Sequence, residues 1–405
     1  MSFIPPLLVP TRNRPTALAG LLKYLSQFYP DCRVIVADGS SEFHQIVNNE
    51  IIQSSPLKSI EYIKFPSTLS LPERLINILE NDTSPYFIMG ADDDYPILES
   101  FAGAADFLEK NPAYSIAVGP SLKLNFLSTD QLTAILDIPR QLPLKKPQFR
   151  CMHFSKWSFP TTYSIARREV LIDRYKMLNA YFLPGFVDFT IGLVDSLHGK
   201  IATLPNYTFI RTSHFNASHL RPRSGTGFLN DATQIMNLQT HFANVLSEKS
   251  QINSVNASAL VNRMFCNRIA ELCGRREPLE NVIINTKFDT TSPLVQAELF
   301  NDLFREGTSA RDRYAARLQM IANNLYAAAD SNDNLDEPQK VFSPDAQQTQ
   351  KLPERRVVKK EKIGNHRQAS VVTDAAKRET KKVSIHPPSF KIKLNPQTLK
   401  IIDTT

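Results

Sequence analysis

Two periods of apolar residues alternate through the first third of the chain. Short unbroken runs read as strands: LLVP at 7–10, RVIVAD at 33–38, IEYIKF at 60–65, YFIMGA at 86–91 and YSIAVG at 114–119. Between them the apolar residues fall three and four apart, the spacing that gathers them on one side of a helix. Leu18, Leu21, Leu22, Leu25 and Phe28 follow Pro15, a residue suited to a first helical turn. Leu71, Leu75, Ile78 and Leu79 mark a second such face, and Ile97, Leu98, Phe101, Ala105 and Leu108 a third. Strand and helix in alternation predict an α/β fold with a mostly parallel sheet flanked by helices, because parallel neighbours need a crossover between them.

From 120 to 160 the pattern breaks into a Pro-rich, partly basic stretch, IPRQLPLKKPQFRCMHFSKWSFP at 138–160, too irregular for regular secondary structure throughout and of the kind that forms binding loops. TTYSIARREVLIDRYKML then reads as a strand running into a helix. LPGFVDFTIGLVDSLHG reads as a turn and a helix ended by Gly199, and KIATLPNYTFIRTSHFN as strands. The boundaries expected are an α/β domain over 1–228, a helical region over 229–330 and a disordered basic tail over 331–405, rich in Lys, Gln, Ser and Pro with few aromatics.

A chain of 405 residues, 42% hydrophobic, can build a sizeable core and more than one domain. Its net charge of +7 belongs almost wholly to the tail. Residues 331–405 hold 15 Lys+Arg and 9 Asp+Glu, which leaves 32 and 31 for the rest. The near-neutral body argues against a nucleic-acid-binding protein. Four cysteines without CxxC spacing indicate neither a zinc ribbon nor a disulfide framework. With no signal-like N-terminus and no apolar run of spanning length, the expected location is the cytoplasm.

In sheets of this type ligands collect beyond the carboxyl ends of the strands. Thr11, Arg12 and Arg14 follow the first strand, Asp38 the second, and Asp92, Asp93 and Asp94 the fourth, so all fall on one rim. Three adjacent carboxylates repel one another unless they are widely solvated or share a cation, and hard oxygen donors suit Mg²⁺ or Mn²⁺. One Asp suffices to cap the helix that follows; three exceed that need. Asp38 also suits an Asp-Gly turn that its side chain closes on itself.

Taken in order, LLVPTRNRP, VIVADGSSE, YFIMGADDDYP and the later PGFVDF resemble the nucleotide-sugar glycosyltransferases of the GT-A fold, close to the family 2 type, over roughly residues 5–220. The resemblance implies a Rossmann-like GT-A domain that moves a sugar from a nucleotide donor, often UDP-linked, to an acceptor hydroxyl with inversion. On that basis Thr11, Arg12 and Arg14 approach the nucleotide and Asp38 bonds the base. Asp92 and Asp93 reach the ribose or the cation, and Asp92 and Asp94 form the DxD pair that holds Mn²⁺ or Mg²⁺.

The resemblance also makes Asp188 the general base, although Val187 stands where the family pattern has a second acid; a helix-start acid favoured by the macrodipole fits the same position. His214 is the expected third metal ligand, with His219 the second choice, and each also suits a surface histidine. Trp157, Phe159 and Tyr163 suit either an acceptor platform or half-buried core, and Arg74 a phosphate contact or a solvated helix face. A glycan or lipid-linked acceptor and loose contact of the basic tail with an anionic membrane complete the expectation. The rival reading is a non-catalytic sugar- or nucleotide-binding scaffold on the same fold.

Overall fold

A computed structural model describes residues 4–126, 131–213, 232–272, 316–317, 320–321, 389–395 and 398–403. Chain contacts divide the molecule into two units, residues 1–334 with 387–405, and residues 335–386; the second lies outside the described residues.

The first unit carries a seven-stranded sheet. Its strands are β1 (Leu7–Thr11), β2 (Arg33–Asp38), β3 (Ser59–Lys64), β4 (Tyr86–Met89), β6 (Tyr114–Val118), β9 (Ile165–Arg167) and β10 (Lys200–Thr203), in the order β10-β6-β9-β4-β1-β2-β3. β9 runs antiparallel to β4 and β6, while the other neighbours are parallel. Helices α1 (Pro15–Phe28), α2 (Glu42–Ser54) and α3 (Leu71–Asn81) make the crossovers among β1 to β4. The core strands are apolar on both faces: Leu7 and Val9 join one cluster, Leu8 and Ile35 the other. Chain order takes β2 and β3 to one side of β1 and β4 to the other, so the strand order reverses at β1 and leaves a crevice at the carboxyl ends there.

A second sheet meets the first at the acidic loop. β5 (Tyr95–Pro96) follows the acidic loop directly and pairs antiparallel with β11 (Phe209–Ser213), which lies parallel to β7 (Ser121–Phe126). β7 returns as β8 (Gln131–Asp137). Two strands within the stretch that composition reads as a disordered tail, β12 (Ser389–Asn395) and β13 (Thr398–Asp403), continue this sheet from β8. The helix expected behind the acidic loop arrives later, as a 3-10 turn at Leu98–Phe101 and α4 (Ala104–Lys110), separated by Gly103 with a positive φ of 77°.

The 120–160 stretch is more regular than its prolines suggest. It holds the β7–β8 hairpin and α5 (Pro147–Lys156), which opens on Pro147 where the missing N–H costs nothing. Buried Arg150 donates to the carbonyls of Ser196 and Leu197 at the end of α7 (Val187–His198) and to those of Leu144 and Lys145. Phe154 lies against Gly192, where a Cβ would fall 1.9 Å from the ring. Helix α5 therefore runs antiparallel to α7, held by tertiary burial that local propensity does not show. Helices α6 (Arg168–Ala180), α8 (Ala232–Ser250) and α9 (Ser254–Leu272) complete this layer. Among the described residues no helix is long and apolar enough to cross a membrane.

Between α6 and α7 lies a fully buried ion pair, Arg174 Nη2 to Asp195 Oδ1 at 2.7 Å, with Thr161 Oγ1 donating to Asp195 Oδ2 at 2.6 Å. Removing one partner leaves the other charge dry and uncompensated. Asp195→Ala is expected to lower unfolding free energy by about 3–5 kcal/mol in urea titrations, whereas a loss below about 1 kcal/mol would mean that water reaches the pair.

Candidate functional site at the acidic rim

The register of the sheets brings the sequence-predicted residues together. Parallel pairing sets Thr11 beside Asp38, and β4 lies against β1, so the loop carrying Asp92 to Asp94 emerges next to the loop carrying Arg12 and Arg14. Thr11 Oγ1 donates to Asp92 Oδ2 at 2.7 Å. Arg14 forks across the cluster, with Nη1 2.8 Å from Asp92 Oδ1 and Nη2 2.6 Å from Asp93 Oδ2. From the second sheet, the Thr212 amide donates to Asp94 Oδ1 at 2.8 Å and its hydroxyl to the Asp93 carbonyl at 2.6 Å. Arg211 Nε stands 4.0 Å from Asp94 Oδ2 and Nη1 3.1 Å from Asp137 Oδ2, with the guanidinium 4.5 Å over the Tyr163 ring. Tyr163 also hydrogen-bonds Asp94.

These environments move the carboxyls. Burial pushes Asp92 up to about 7, and the charges of Asp93 and Asp94 add to it while Arg14 and Thr11 pull it down. Asp94 goes up to about 6 through burial and Asp93, against Arg211, Tyr163 and the Thr212 amide. Arg14 titrates above its usual range: burial disfavours its charge, and Asp92 and Asp93 more than offset that.

Two predicted residues face inward. Asp38 is fully buried and accepts from the Ser40 amide at 2.7 Å, Asn48 Nδ2 at 2.8 Å and Tyr62 Oη at 2.6 Å, so its oxygens brace the second loop. Arg74 is neither solvated nor at the open rim. It is buried and donates to the Thr11 and Ala37 carbonyls at 2.9 and 2.8 Å, tying the ends of β1 and β2 together. Gly39 makes room for it, since a Cβ there would sit 2.5 Å from the guanidinium carbon. Asn13, at a positive φ of 54°, links the same loops by accepting from the Ser41 amide and donating its own amide to Ser40 Oγ.

Other predicted residues stay open. Arg12 is exposed on the first loop, with no ion pair among the described residues. Asp188 is exposed at the start of α7 and accepts from Thr162 Oγ1 at 3.1 Å. Its charge acts on both Arg211 and Asp137, which places it on the same opening. Of the aromatics, Phe159 is core, Tyr163 is partly buried under Arg211, and Trp157 is exposed. His214 and His219 lie outside the described residues.

A divalent cation needs carboxylate oxygens that converge. Here both oxygens of Asp92 are committed, to Arg14 and Thr11, one of Asp93 goes to Arg14, and one of Asp94 to the Thr212 amide. Among the described residues no three His, Cys, Asp or Glu side chains gather as a metal site. Among the described residues the cluster presents no converging set of oxygens for a metal ion, and its cations are guanidinium groups. The residues that sequence reasoning missed are Thr212 and Asp137, which join the cluster and Arg211, and Thr162, which bonds Asp188; all three arrive through β-pairing and side-chain contacts that no local motif announces.

No protein-family model and no curated protein matches this chain. Among solved structures it is similar to residues 1–349 of S. aureus TarS, at 13% identity and a TM-score of 0.43, covering 80% of this chain and 90% of that one. The same TarS fragment in complex with UDP-GlcNAc gives 15%, 0.41, 80% and 90%. A CMP-2-keto-3-deoxy-manno-octonic acid synthetase complexed with CTP gives 13%, 0.30, 52% and 90%. Overlap at this level is too slight to assign chemistry to the chain.

The raised carboxyls make the rim sensitive to pH. A buried Asp that titrates higher folded than unfolded favours the folded state while protonated and takes that stability away as pH rises through its folded value. From about pH 4, where an unfolded Asp ionises, to about pH 7, the wild type should lose thermal stability relative to Asp92→Asn, which cannot ionise. Parallel stability profiles of the two proteins would show that Asp92 titrates normally.

Proposed function

We propose that this chain is a glycosyltransferase that moves a sugar from a nucleotide-sugar donor, UDP-linked, to an acceptor hydroxyl with inversion of configuration. The observation that supports this best is the opposition across one opening of a guanidinium-held acidic loop, at the strand-order reversal, and an exposed carboxylate at a helix start. Crevices at such reversals are where open α/β sheets bind nucleotides.

Arg12, exposed on the first loop, supplies positive charge where a diphosphate would lie, and charge placed at the leaving group counts most as the bond to it breaks. Arg14 keeps 32% of its side-chain surface in solvent and faces the same space. Asp93 Oδ1 has no partner among the described residues and suits a ribose hydroxyl donor. Asp188 then takes the proton of the acceptor hydroxyl as it attacks the anomeric carbon, with Thr162 fixing one carboxylate oxygen. A single displacement of this kind inverts the anomeric centre. No step is routed through a metal ion, because both oxygens of Asp92 and one each of Asp93 and Asp94 are already committed.

The non-catalytic rival has one observation in its favour, the inward commitment of Asp38 to Ser40, Asn48 and Tyr62. It differs from the enzyme reading at Asp188. With a panel of UDP-sugars, Asp188→Asn should lower turnover by roughly 10²–10⁴ while leaving UDP affinity nearly unchanged. Titration of UDP in chelator and again with Mn²⁺ should give similar affinities; a strict need for Mn²⁺ would show that the ion displaces Arg14. Absence of UDP binding under both conditions, or unchanged turnover in Asp188→Asn, would contradict the assignment.

A further inference from the structure

Residues 138–160 contain five Lys or Arg and no Asp or Glu, whereas the rest of residues 1–330 holds 27 Lys or Arg against 31 Asp or Glu. Arg150 is spent inside the fold on backbone carbonyls, but Arg140, Lys145, Lys146 and Lys156 are exposed. Two aromatic side chains stand among them, Phe149 with 45% and Trp157 with 42% of their surface in solvent. Phe149 and Lys156 are seven apart and share one stripe of α5, and Lys146 stands at its N-cap. The Lys146 ammonium is 6.0 Å from the Phe149 ring, and Arg140 and Lys156 are 4.4 and 5.8 Å from that of Trp157. The side of α5 that carries Arg150, Cys151, Phe154 and Ser155 is buried. Burial first, and then the charges of Arg140 and Lys156, push His153 down to about 4.

We propose that this face of α5 is a membrane-docking surface that seats on an anionic lipid bilayer, with Phe149 and Trp157 at headgroup depth and Arg140, Lys145, Lys146 and Lys156 against the lipid phosphates. Aromatic rings set among cations suit the interface, where one part of each ring is dry and its surroundings are charged. A soluble polyanion would satisfy the cations but gains nothing from the bare Phe149 ring. The surface adjoins the candidate site. Antiparallel packing of α5 on α7 sets Phe154 near Phe189, so the Trp157 end of α5 flanks the start of α7, where Asp188 lies. The docking claim itself stands apart from the enzymatic reading, since it uses none of the rim residues.

Trp157 is the only tryptophan in the chain, so its fluorescence reports the docked face directly. With the full chain at low salt, vesicles of equal parts phosphatidylcholine and phosphatidylglycerol should shift Trp157 emission to the blue, and pure phosphatidylcholine should not. Lys145→Glu with Lys146→Glu should weaken this binding by about tenfold or more, and Phe149→Ala by a smaller factor. No shift with the anionic vesicles, or an equal shift with soluble polyphosphate, would overturn the proposal. So would co-sedimentation without a Trp157 shift, which would assign the contact to the basic tail. If the lysine variant fails to fold, the wild-type comparison of vesicles with polyphosphate still decides.

Discussion

The fork of Arg14 across Asp92 and Asp93 is the interaction on which the rim depends. Two carboxylates about 4 Å apart in a partly dry site repel by about 4 kcal/mol, and this loop places three in succession with Asp92 and Asp94 buried. Two guanidinium groups from different elements meet that repulsion. Arg14 arrives from the loop after β1, and Arg211 from β11, with Asp137 balancing its far side. Burial first, and then the repulsion that remains, raises the carboxyls of Asp92 and Asp94. Carboxyls raised in this way take up a proton more readily than ordinary ones.

The surrounding fold keeps the cluster in place. Arg74 draws the ends of β1 and β2 together by donating to carbonyls of both, Gly39 clears its path, and Asp38 braces the next loop from within. The short β5–β11 pairing brings Thr212 onto the acidic loop. On the far side, the Arg150 and Phe154 contacts seat α5 on α7 and so set the helix start that presents Asp188. Each of these is a buried contact in which one changed side chain would shift a loop of the rim.

Much of this was legible in the sequence. Strands covered on both faces must be apolar throughout, so RVIVAD and YFIM stand out, and the chain order of strands and helices places Thr11, Arg14 and the Asp triplet on one rim. The direction of a side chain was not legible. Asp38 and Arg74 sit in motifs that suit ligand contact, yet both turn into the protein, because their partners Asn48, Tyr62, Thr11 and Ala37 are fixed only by the fold. Thr212 was hidden for a related reason: its bond to Asp94 spans 118 positions, which no local pattern encodes. Helix α5 was hidden by its prolines and by a buried arginine that reads as surface.

The account turns on whether Arg14 is the counter-ion that holds the acidic loop. A double-mutant cycle tests this directly: unfolding free energies of wild type, Arg14→Met, Asp92→Asn and the combined variant at neutral pH. A coupling of about 1–3 kcal/mol is predicted, with Arg14→Met costing much less when Asp92 is already uncharged. Additivity within about 0.5 kcal/mol would contradict it, and would mean that solvent or another cation stabilises the three carboxylates.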